Sequence, residues 1–572
     1  MFIDQVEIKN FRGVRDLALE LDETTVLIGE NNTGKSTILA ALETCLSRNL
    51  TRRGGAFSEY DYHLPARDSQ PTESDAIEVT LRFVERQVNE WPDGVVQTLA
   101  AAVQAADDGR QAVIFRVRSS YDDFLEDFVT SWAFLDLAGN ELVGAGTPAN
   151  LIALQQLAPV FYLSALRDSA QEFRPRGQFW SPFVRSLKMD PDVRRELEDE
   201  LAELNQKVLD ANESFSVVEE RLSNTADMVP LASDDAVGIE AIPSRVFDIM
   251  SRTQVLLSST TGARLPIGRH GEGTQSLAVI CLFDAFLHSR LEDAYREHTS
   301  PILALEEPEA HLHPSATHSV AALLQELPGQ KIVATHSGDL VGACPITSLR
   351  RLRRKDGEIN VYRLEEGVLY EDQIRKINHH IRSSRGSALF ARCWLLVEGE
   401  SDRLVIEACA RALGRNLLYE GVSCIEFQQI GSVEILAKFA DCMGIEWFVL
   451  ADNDQAGDGS VRSAKRQIGN REEARHISQL AHGDLEVFLC NEGYGHIYET
   501  SVSPQKSSNI TSQKGDPDYW TQVVRAQRDN YKTRNAVEVV EEMENRGDGG
   551  VPQQLREIIE SALELAKEAR DG

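Results

Sequence analysis

The feature that most constrains this chain is the loop Gly29-Glu30-Asn31-Asn32-Thr33-Gly34-Lys35-Ser36-Thr37. It lies between the apolar run Thr25-Val26-Leu27-Ile28 and the helix-forming Ile38-Leu39-Ala40-Ala41-Leu42. A glycine-rich turn from a buried strand into a helix aims backbone N–H groups and the positive helix end at one point, which suits phosphate. Lys35 can then reach β and γ oxygens, and Ser36 can ligate Mg²⁺. Gly29, Asn31, Asn32, Thr33, Gly34, Lys35, Ser36 and Thr37 are the candidate nucleotide-binding residues, with ATP as the cofactor.

A chain of 572 residues is too long for one core, so at least two units are expected. A hydrophobic content of 42% with 26% charged residues is the balance of a soluble globular protein. The start MFIDQVEIKNF has no secretory pattern and no segment is apolar enough to span a bilayer, so the expected address is the cytoplasm with no membrane partner. Eight scattered cysteines show no zinc spacing and read as buried thiols. A net charge of −31 excludes a protein that coats nucleic acid with its whole surface. Any DNA contact is local, and the basic run Arg350-Arg351 with Arg353-Arg354-Lys355 reads as such a contact or as a solvated face.

Alternation of apolar and polar residues predicts strands around 2–8, 17–21, 77–83 and 113–117. Val193, Leu197, Leu201, Leu204, Val208, Phe215, Val218 and Leu222 recur at helical steps, predicting a helical arm or dimerising helix over about 190–224. The apolar strand Pro301-Ile302-Leu303-Ala304-Leu305 ends in Glu306-Glu307, where the first acid can hold Mg²⁺ and the second can orient the attacking water. Glu stands where Asp is usual at that first position. The strand Lys331–Thr335 ends at His336, placed to contact a γ-phosphate. His311 and His313 imitate a metal pair but read as a loop between protomers.

From Cys393 the pattern becomes strand, helix, strand, helix, strand, the signature of a small parallel sheet with its site at the carboxyl ends of the strands. Glu398 and Asp402 follow one strand, and Asp452 and Asp454 follow another. Four converging acids repel one another unless cations neutralise them, so a divalent site is expected. Glu486 is a further candidate ligand. The polar stretch Ser501 to Pro517 reads as disordered, and 535–570 as amphipathic helix.

The first half resembles ABC-type ATPases, in which a second protomer completes each site with a glycine-rich signature. Gly271-Glu272-Gly273 occupies that place, so the resemblance implies an ATP-linked homodimer with Gly273 at the nucleotide. The second half resembles Toprim domains. That resemblance makes Glu398 the Toprim glutamate, Asp452 and Asp454 its paired aspartates, and Asp402 the extra acid of nuclease members, with two Mg²⁺ or Mn²⁺ ions. Tyr531-Lys532-Thr533 resembles the segment whose lysine steadies developing negative charge in Toprim nucleases, which implies that role for Lys532. The order of the two resembles the overcoming-lysogenization-defect (OLD) family, which includes the nuclease subunit of Gabija anti-phage systems.

The expected fold is therefore α/β: an ABC-type P-loop ATPase with a helical dimerisation insertion, followed by a Toprim domain. The expected boundaries are 1–180 and 251–390 for the ATPase, 181–250 for the insertion and 391–572 for the Toprim domain with its C-terminal helices. The resemblance implies an ATP-regulated DNA endonuclease of anti-phage defence, a dimer or tetramer, with a helicase or a retron reverse transcriptase as a partner. The competing readings are a recombination-type ATPase clamp with a non-nucleolytic Toprim domain, and a topoisomerase or primase. No strand-cleaving tyrosine domain or polymerising context speaks for the last pair.

Overall fold

The computed structural model describes residues 1–50, 56–66, 68–163, 189–211, 214–218, 221, 239–251, 256–258, 262, 264–382, 386–528 and 531–570. Alternation builds the first sheet. Val6 and Ile8 of Ile3–Phe11 lie opposite Leu19 and Leu17 of the antiparallel Val14–Glu20, and all four are buried. Ile77–Val84 and Gln111–Asp122 extend this sheet in turn, also antiparallel. Asp127–Leu135 adds a hairpin partner that alternation did not announce. Its burial alternates over 127–132 but its residue types do not, with Val129 on the exposed face and Thr130 on the inner one, so the period of two is hidden in the sequence.

The central sheet is parallel across five strands. Thr24–Gly29 lies between Gln330–Ala334 and Leu349–Lys355, and Ile302–Glu306 and Val160–Leu163 continue it. Glu358–Tyr362 closes one edge antiparallel. Parallel strands put their carboxyl ends on one side, so the P-loop after Gly29, the acids at Glu306 and the turn after Ala334 open together.

A second parallel sheet sets Cys393–Val397 between Val422–Glu426 and Glu446–Ala451, with Ile477–Gln479 beyond. Helices Glu400–Ala412, Val433–Cys442 and Gln455–Gln467 follow its strands. With both faces covered, these strands are almost entirely buried, and Cys393–Val397 and residues 447–451 are continuously apolar, whereas Val422–Glu426 buries Ser423 and Glu426 as well. One core cluster joins Val26 and Ile28 of the central sheet to Trp394, Leu396 and Trp447 of this one, so the two units share buried surface.

That seam corrects the reading of the basic run as a solvated face for its first members, Arg350 and Arg351, whereas Lys355 at its end is exposed. Arg350 and Arg351 are 2% and 3% exposed. Arg351 donates to the carbonyls of Met443, Gly444 and Ala391 at 2.8–2.9 Å, and Arg353 to those of Gly444 and Ala569 at 2.6 Å. Arg354 reaches Gly13 and Asn32. Their strand runs along the junction, where carbonyls that would otherwise lose water need donors.

Helix Pro191–Asp210, capped by Asp190, has no buried residue, and Leu197, Leu201 and Leu204 face Val246 and Ile249 of the helix Val246–Ser251. Leu222 lies outside the described residues. The stretch Ser501–Pro517, expected to be disordered, is instead tied down: the Thr511 and Ser512 N–H groups donate to Gln522, and Lys514 to Glu499. The expected C-terminal helix divides into Lys532–Arg546 and Gln553–Glu568 at Gly547, whose φ of 64° ends the first turn of chain. Among the described residues no helix is long and apolar enough to cross a membrane.

Candidate functional site

The P-loop enters helix Lys35–Leu46 through Gly34, whose φ of 93° lies in the left-handed region open to glycine. Lys35 is buried and curls onto the loop itself, donating to the carbonyls of Gly29 at 2.9 Å and Glu30 at 2.7 Å and lying 3.5 Å from the Thr33 hydroxyl. Burial lowers its pKa to about 8 against the opposing pull of Glu307, Glu306 and Glu30. Asn31, Asn32 and Ser36 stay exposed at the mouth and Thr37 is half-buried.

Glu306 faces this loop from the neighbouring strands. Its carboxylate accepts from the Ser36 hydroxyl and, at 2.5 Å, from the Tyr162 hydroxyl. Glu307 turns away from the strand with a φ of 45°, rare for a side-chain-bearing residue, and its N–H donates to the Ala334 carbonyl at 2.8 Å. His336 is exposed at the end of its strand and stacks on Phe390 with centroids 6.5 Å apart. Partial desolvation of the ring and then the Lys35 charge lower its pKa, while Glu307 opposes them. The sequence reading missed two neighbours. Tyr162 carries no motif, but Glu309 stood in the Glu-Glu-Pro-Glu run; it accepts from Thr335, and its second oxygen is buried without a hydrogen-bond partner. Burial raises the Glu309 pKa.

Gly273 falls in the first turn of helix Glu272–Ala294, where a Cβ would stand 2.7 Å from the His311 carbonyl oxygen. Glu272 pairs with His311 at 3.1 Å, and His313 caps the helix Pro314–Glu326. The two histidines thus have separate structural contacts.

The second site gathers at the carboxyl edge of the smaller sheet. Glu398 follows Cys393–Val397, and Asp402 sits in the first turn of Glu400–Ala412. Asp452 follows Glu446–Ala451, Asp454 caps Gln455–Gln467, and Asp484 caps the helix Leu485–Leu489 that carries Glu486. Three of these acids have one oxygen engaged by the backbone. Asp402 accepts from Gly399 N–H at 2.9 Å, Asp454 from Gly457 at 2.7 Å, and Asp484 from Val487 at 2.9 Å. One Glu398 oxygen, Oε2, is buried with no hydrogen-bond partner.

The charges register one another. Burial, then Asp402, Glu398, Asp484 and Glu486, push the Asp452 pKa up to about 8. Burial carries Asp402 to about 6 against the pull of the Gly399 N–H and Lys532. Burial, then Asp454, raise Glu398. Burial raises Glu486, which pairs with the Lys532 ammonium at 3.0 Å. Asp484 is the member that the sequence reading did not select; its signal was the Asp-x-Glu spacing at the start of a short helix. Six carboxylates against one ammonium, all oxygen donors, fit hard divalent cations. Among the described residues no three side chains already stand at the spacing of a closed ion shell.

The two sites touch through one ion pair. Glu30 of the P-loop meets Arg392, the residue before the first strand of the smaller sheet, at 2.8 Å.

A P-loop on a central parallel sheet, joined to a second parallel sheet with an acid cluster at its edge, defines a P-loop α/β unit followed by a Toprim domain. The chain belongs to the family described as Protein of unknown function (DUF2813), whose model matches residues 1–388. Residues 389–454 match the Overcoming lysogenization defect protein-like TOPRIM domain. Over the full length of both chains it is 29% identical to Uncharacterized protein YbjD of Escherichia coli. It is 25% identical to the OLD nuclease of Thermus scotoductus, over 85% of this chain and 90% of that one. It is 23% identical to Endonuclease GajA of Bacillus cereus, over 71% of this chain and 67% of that one.

Proposed function

We propose that the chain is a nucleotide-regulated, divalent-metal-dependent DNA endonuclease. The observation that carries this reading is the acid cluster, in which Glu398 keeps a buried oxygen without a partner and burial, with the neighbouring acids after it, pushes the Asp452 pKa up to about 8. Such a buried gathering of carboxylates is costly for a structural surface and useful for holding cations. The nuclease names of two relatives agree with it. The setting in anti-phage defence rests on the family resemblance alone.

In this reading Glu398, Asp452 and Asp454 hold a pair of Mg²⁺ or Mn²⁺ ions, with Asp402 and Glu486 beside them. Such ions supply an activated water and neutralise charge on the scissile phosphate. Lys532 keeps a positive charge beside Glu486, where it balances charge developing on the leaving oxygen. Asp454 and Asp484, as helix caps, keep their carboxylates in a fixed direction.

At the other site Lys35 binds the β and γ oxygens, and Ser36 with Glu306 holds the nucleotide's Mg²⁺. Glu307 orients the attacking water and His336 contacts the γ-phosphate. Two copies face each other through the ATPase, the turn around Gly273 of one completing the site of the other, with the arm Pro191–Asp210 adding contacts.

Plasmid cleavage tests the proposal, run with Mg²⁺ or Mn²⁺, with and without ATP, on the native chain, Glu398→Ala and Lys35→Ala. Native cutting that Glu398→Ala abolishes is expected, with a loss on the order of a thousandfold or more. Lys35→Ala is expected to lose nucleotide binding and with it the effect of ATP on cutting. Cutting by Glu398→Ala at the native rate would remove the Toprim site from the reaction, and binding of DNA without cutting under any metal would favour the ATPase-clamp reading.

A further inference from the structure

The acid cluster raises a problem of approach. DNA is a polyanion, the chain has a formal net charge of −31, and the carboxylates repel the strand they are to cut. Between residues 502 and 534 the balance reverses, with six Lys and Arg against three Asp. This stretch adjoins the cluster, because Lys532 stands 3.0 Å from Glu486.

At the end of the stretch one aromatic ring is flanked by two guanidiniums. The Arg528 and Arg534 Cζ atoms lie 5.4 and 5.1 Å from the Tyr531 ring centroid. Each also donates to the Tyr531 hydroxyl at 3.3 Å. Two cations brought to one hydroxyl repel each other, and an anion between them relieves that repulsion. Arg534 shares Glu538 at 3.0 Å on the exposed helix face, a pair of small energy, while Arg528 has no ion pair with a carboxylate among the described residues.

The base under these residues is firm. Asn535 is fully buried, accepts from the Ser501 hydroxyl at 2.6 Å and donates to Gln527 at 2.9 Å. Gln527 in turn donates to the carbonyls of Tyr498 and Val523. Preorganised arginines lose less freedom on meeting a phosphate than free surface ones do.

The geometry points to Arg528, Tyr531 and Arg534 as a clamp for one phosphodiester strand of DNA at the entrance to the acid cluster. The guanidiniums bracket a backbone phosphate, and the ring offers a face on which a base stacks. Lys532, between them in sequence, reaches the acids, so the strand passes from clamp to cutting site within a residue or two of chain. The inference rests on the endonuclease reading for its substrate.

Binding without cutting tests it. The full chain in EDTA is titrated into a short fluorescein-labelled DNA duplex and followed by anisotropy over a series of salt concentrations. The variants are Arg528→Ala/Arg534→Ala, Tyr531→Ala and Tyr531→Phe. The double arginine variant is expected to bind on the order of tenfold more weakly, with a log–log salt slope shallower by about two, roughly one per lost phosphate contact. Tyr531→Ala is expected to weaken binding by at least about fivefold through lost stacking, while Tyr531→Phe keeps the ring but removes the hydroxyl that both guanidiniums share, and should fall between native and Tyr531→Ala. In Mg²⁺ the double variant should raise KM for cleavage and keep kcat at saturating DNA.

Unchanged affinity and salt slope in the double variant overturn the clamp. A native chain that binds DNA with these sensitivities but cuts under no metal removes the endonuclease reading and leaves the clamp standing. A chain that cuts while every variant binds as the native does removes only the clamp.

Discussion

Asp452 carries most of the mutual repulsion in the acid cluster. Its pKa rises from 3.8 to about 8 and that of Asp402 from 3.8 to about 6, in both cases by burial first and neighbouring acids or weaker opposing bonds after. Both values lie above those of the unfolded chain, so the folded state binds protons more tightly. The resulting contribution to stability is fully present below the ordinary carboxylate value and is lost as pH rises through 6 and then 8. Divalent ions replace those protons, so their binding strengthens with pH and releases protons. In scanning calorimetry the chain in EDTA is expected to lose Tm as pH rises from about 5 to about 8, in the window between unfolded and raised carboxylate values. Mg²⁺ or Mn²⁺ should raise Tm more at the alkaline end, and Asp452→Asn should flatten both trends. A metal shift that is the same at every pH, or that persists in Asp452→Asn, contradicts this assignment of the protons.

At the scale of elements, the helix Gln455–Gln467 decides where Asp452 and Asp454 stand. Its first turn is seated on the Asp452 carbonyl, and a Cβ on Gly457 would lie 1.8 Å from that oxygen and 2.7 Å from its carbon. These are backbone atoms and cannot rotate aside, so Gly457→Ala must lift the helix and move the Asp454 cap with it. Displacement of a catalytic group by about 1 Å can cost on the order of a hundredfold, which is the expected loss in DNA cleavage. Binding of an ATP analogue, measured on the same preparation, should be unaffected; native cleavage by this variant would show that the helix position is not critical. Much of this arrangement was legible in the sequence, because Glu398 and Asp452 each follow a strand whose continuous apolar run marks it as buried. The P-loop was legible for the same reason. Asp127–Leu135 was not, since Val129 on its exposed face and Thr130 on its inner one break the apolar–polar alternation. Arg350 and Arg351 were misread because charge alone says nothing of burial, and their partners lie far off in sequence: Glu20 and Asp22 for Arg350, Ala391 and Met443 for Arg351. Asp484 was passed over for a related reason: its neighbours in the cluster come from strands far earlier in the chain.

Taken whole, the molecule turns on Arg392. Its guanidinium meets the Glu30 carboxylate at 2.8 Å and donates to the carbonyls of Glu420 at 2.8 Å and Ala566 at 2.9 Å. One side chain thus spans the nucleotide loop, the edge of the Toprim sheet and the last helix. The loop is also the part that must rearrange on binding: Lys35 rests on the carbonyls of Gly29 and Glu30 and has to leave them to reach phosphate. Movement at Glu30 therefore pulls on Arg392, one residue before the strand that leads to Glu398. The shared core around Val26, Ile28, Trp394 and Trp447 keeps the two units docked without this pair, so its removal should cost communication more than stability. Coupling between sites is typically about 1–3 kcal/mol, or about 5- to 150-fold in affinity. Whichever direction ATP shifts the native cleavage rate, Arg392→Ala is expected to lose most of that shift while it still binds nucleotide and still cuts. Arg392→Lys retains a charge for Glu30 but cannot reach both carbonyls as well, and should fall between the two. Cleavage rates with and without a non-hydrolysable analogue, paired with the analogue's Kd, separate the outcomes. A native response to nucleotide in Arg392→Ala would mean that the signal crosses elsewhere, with the His336–Phe390 stack as the next contact to break.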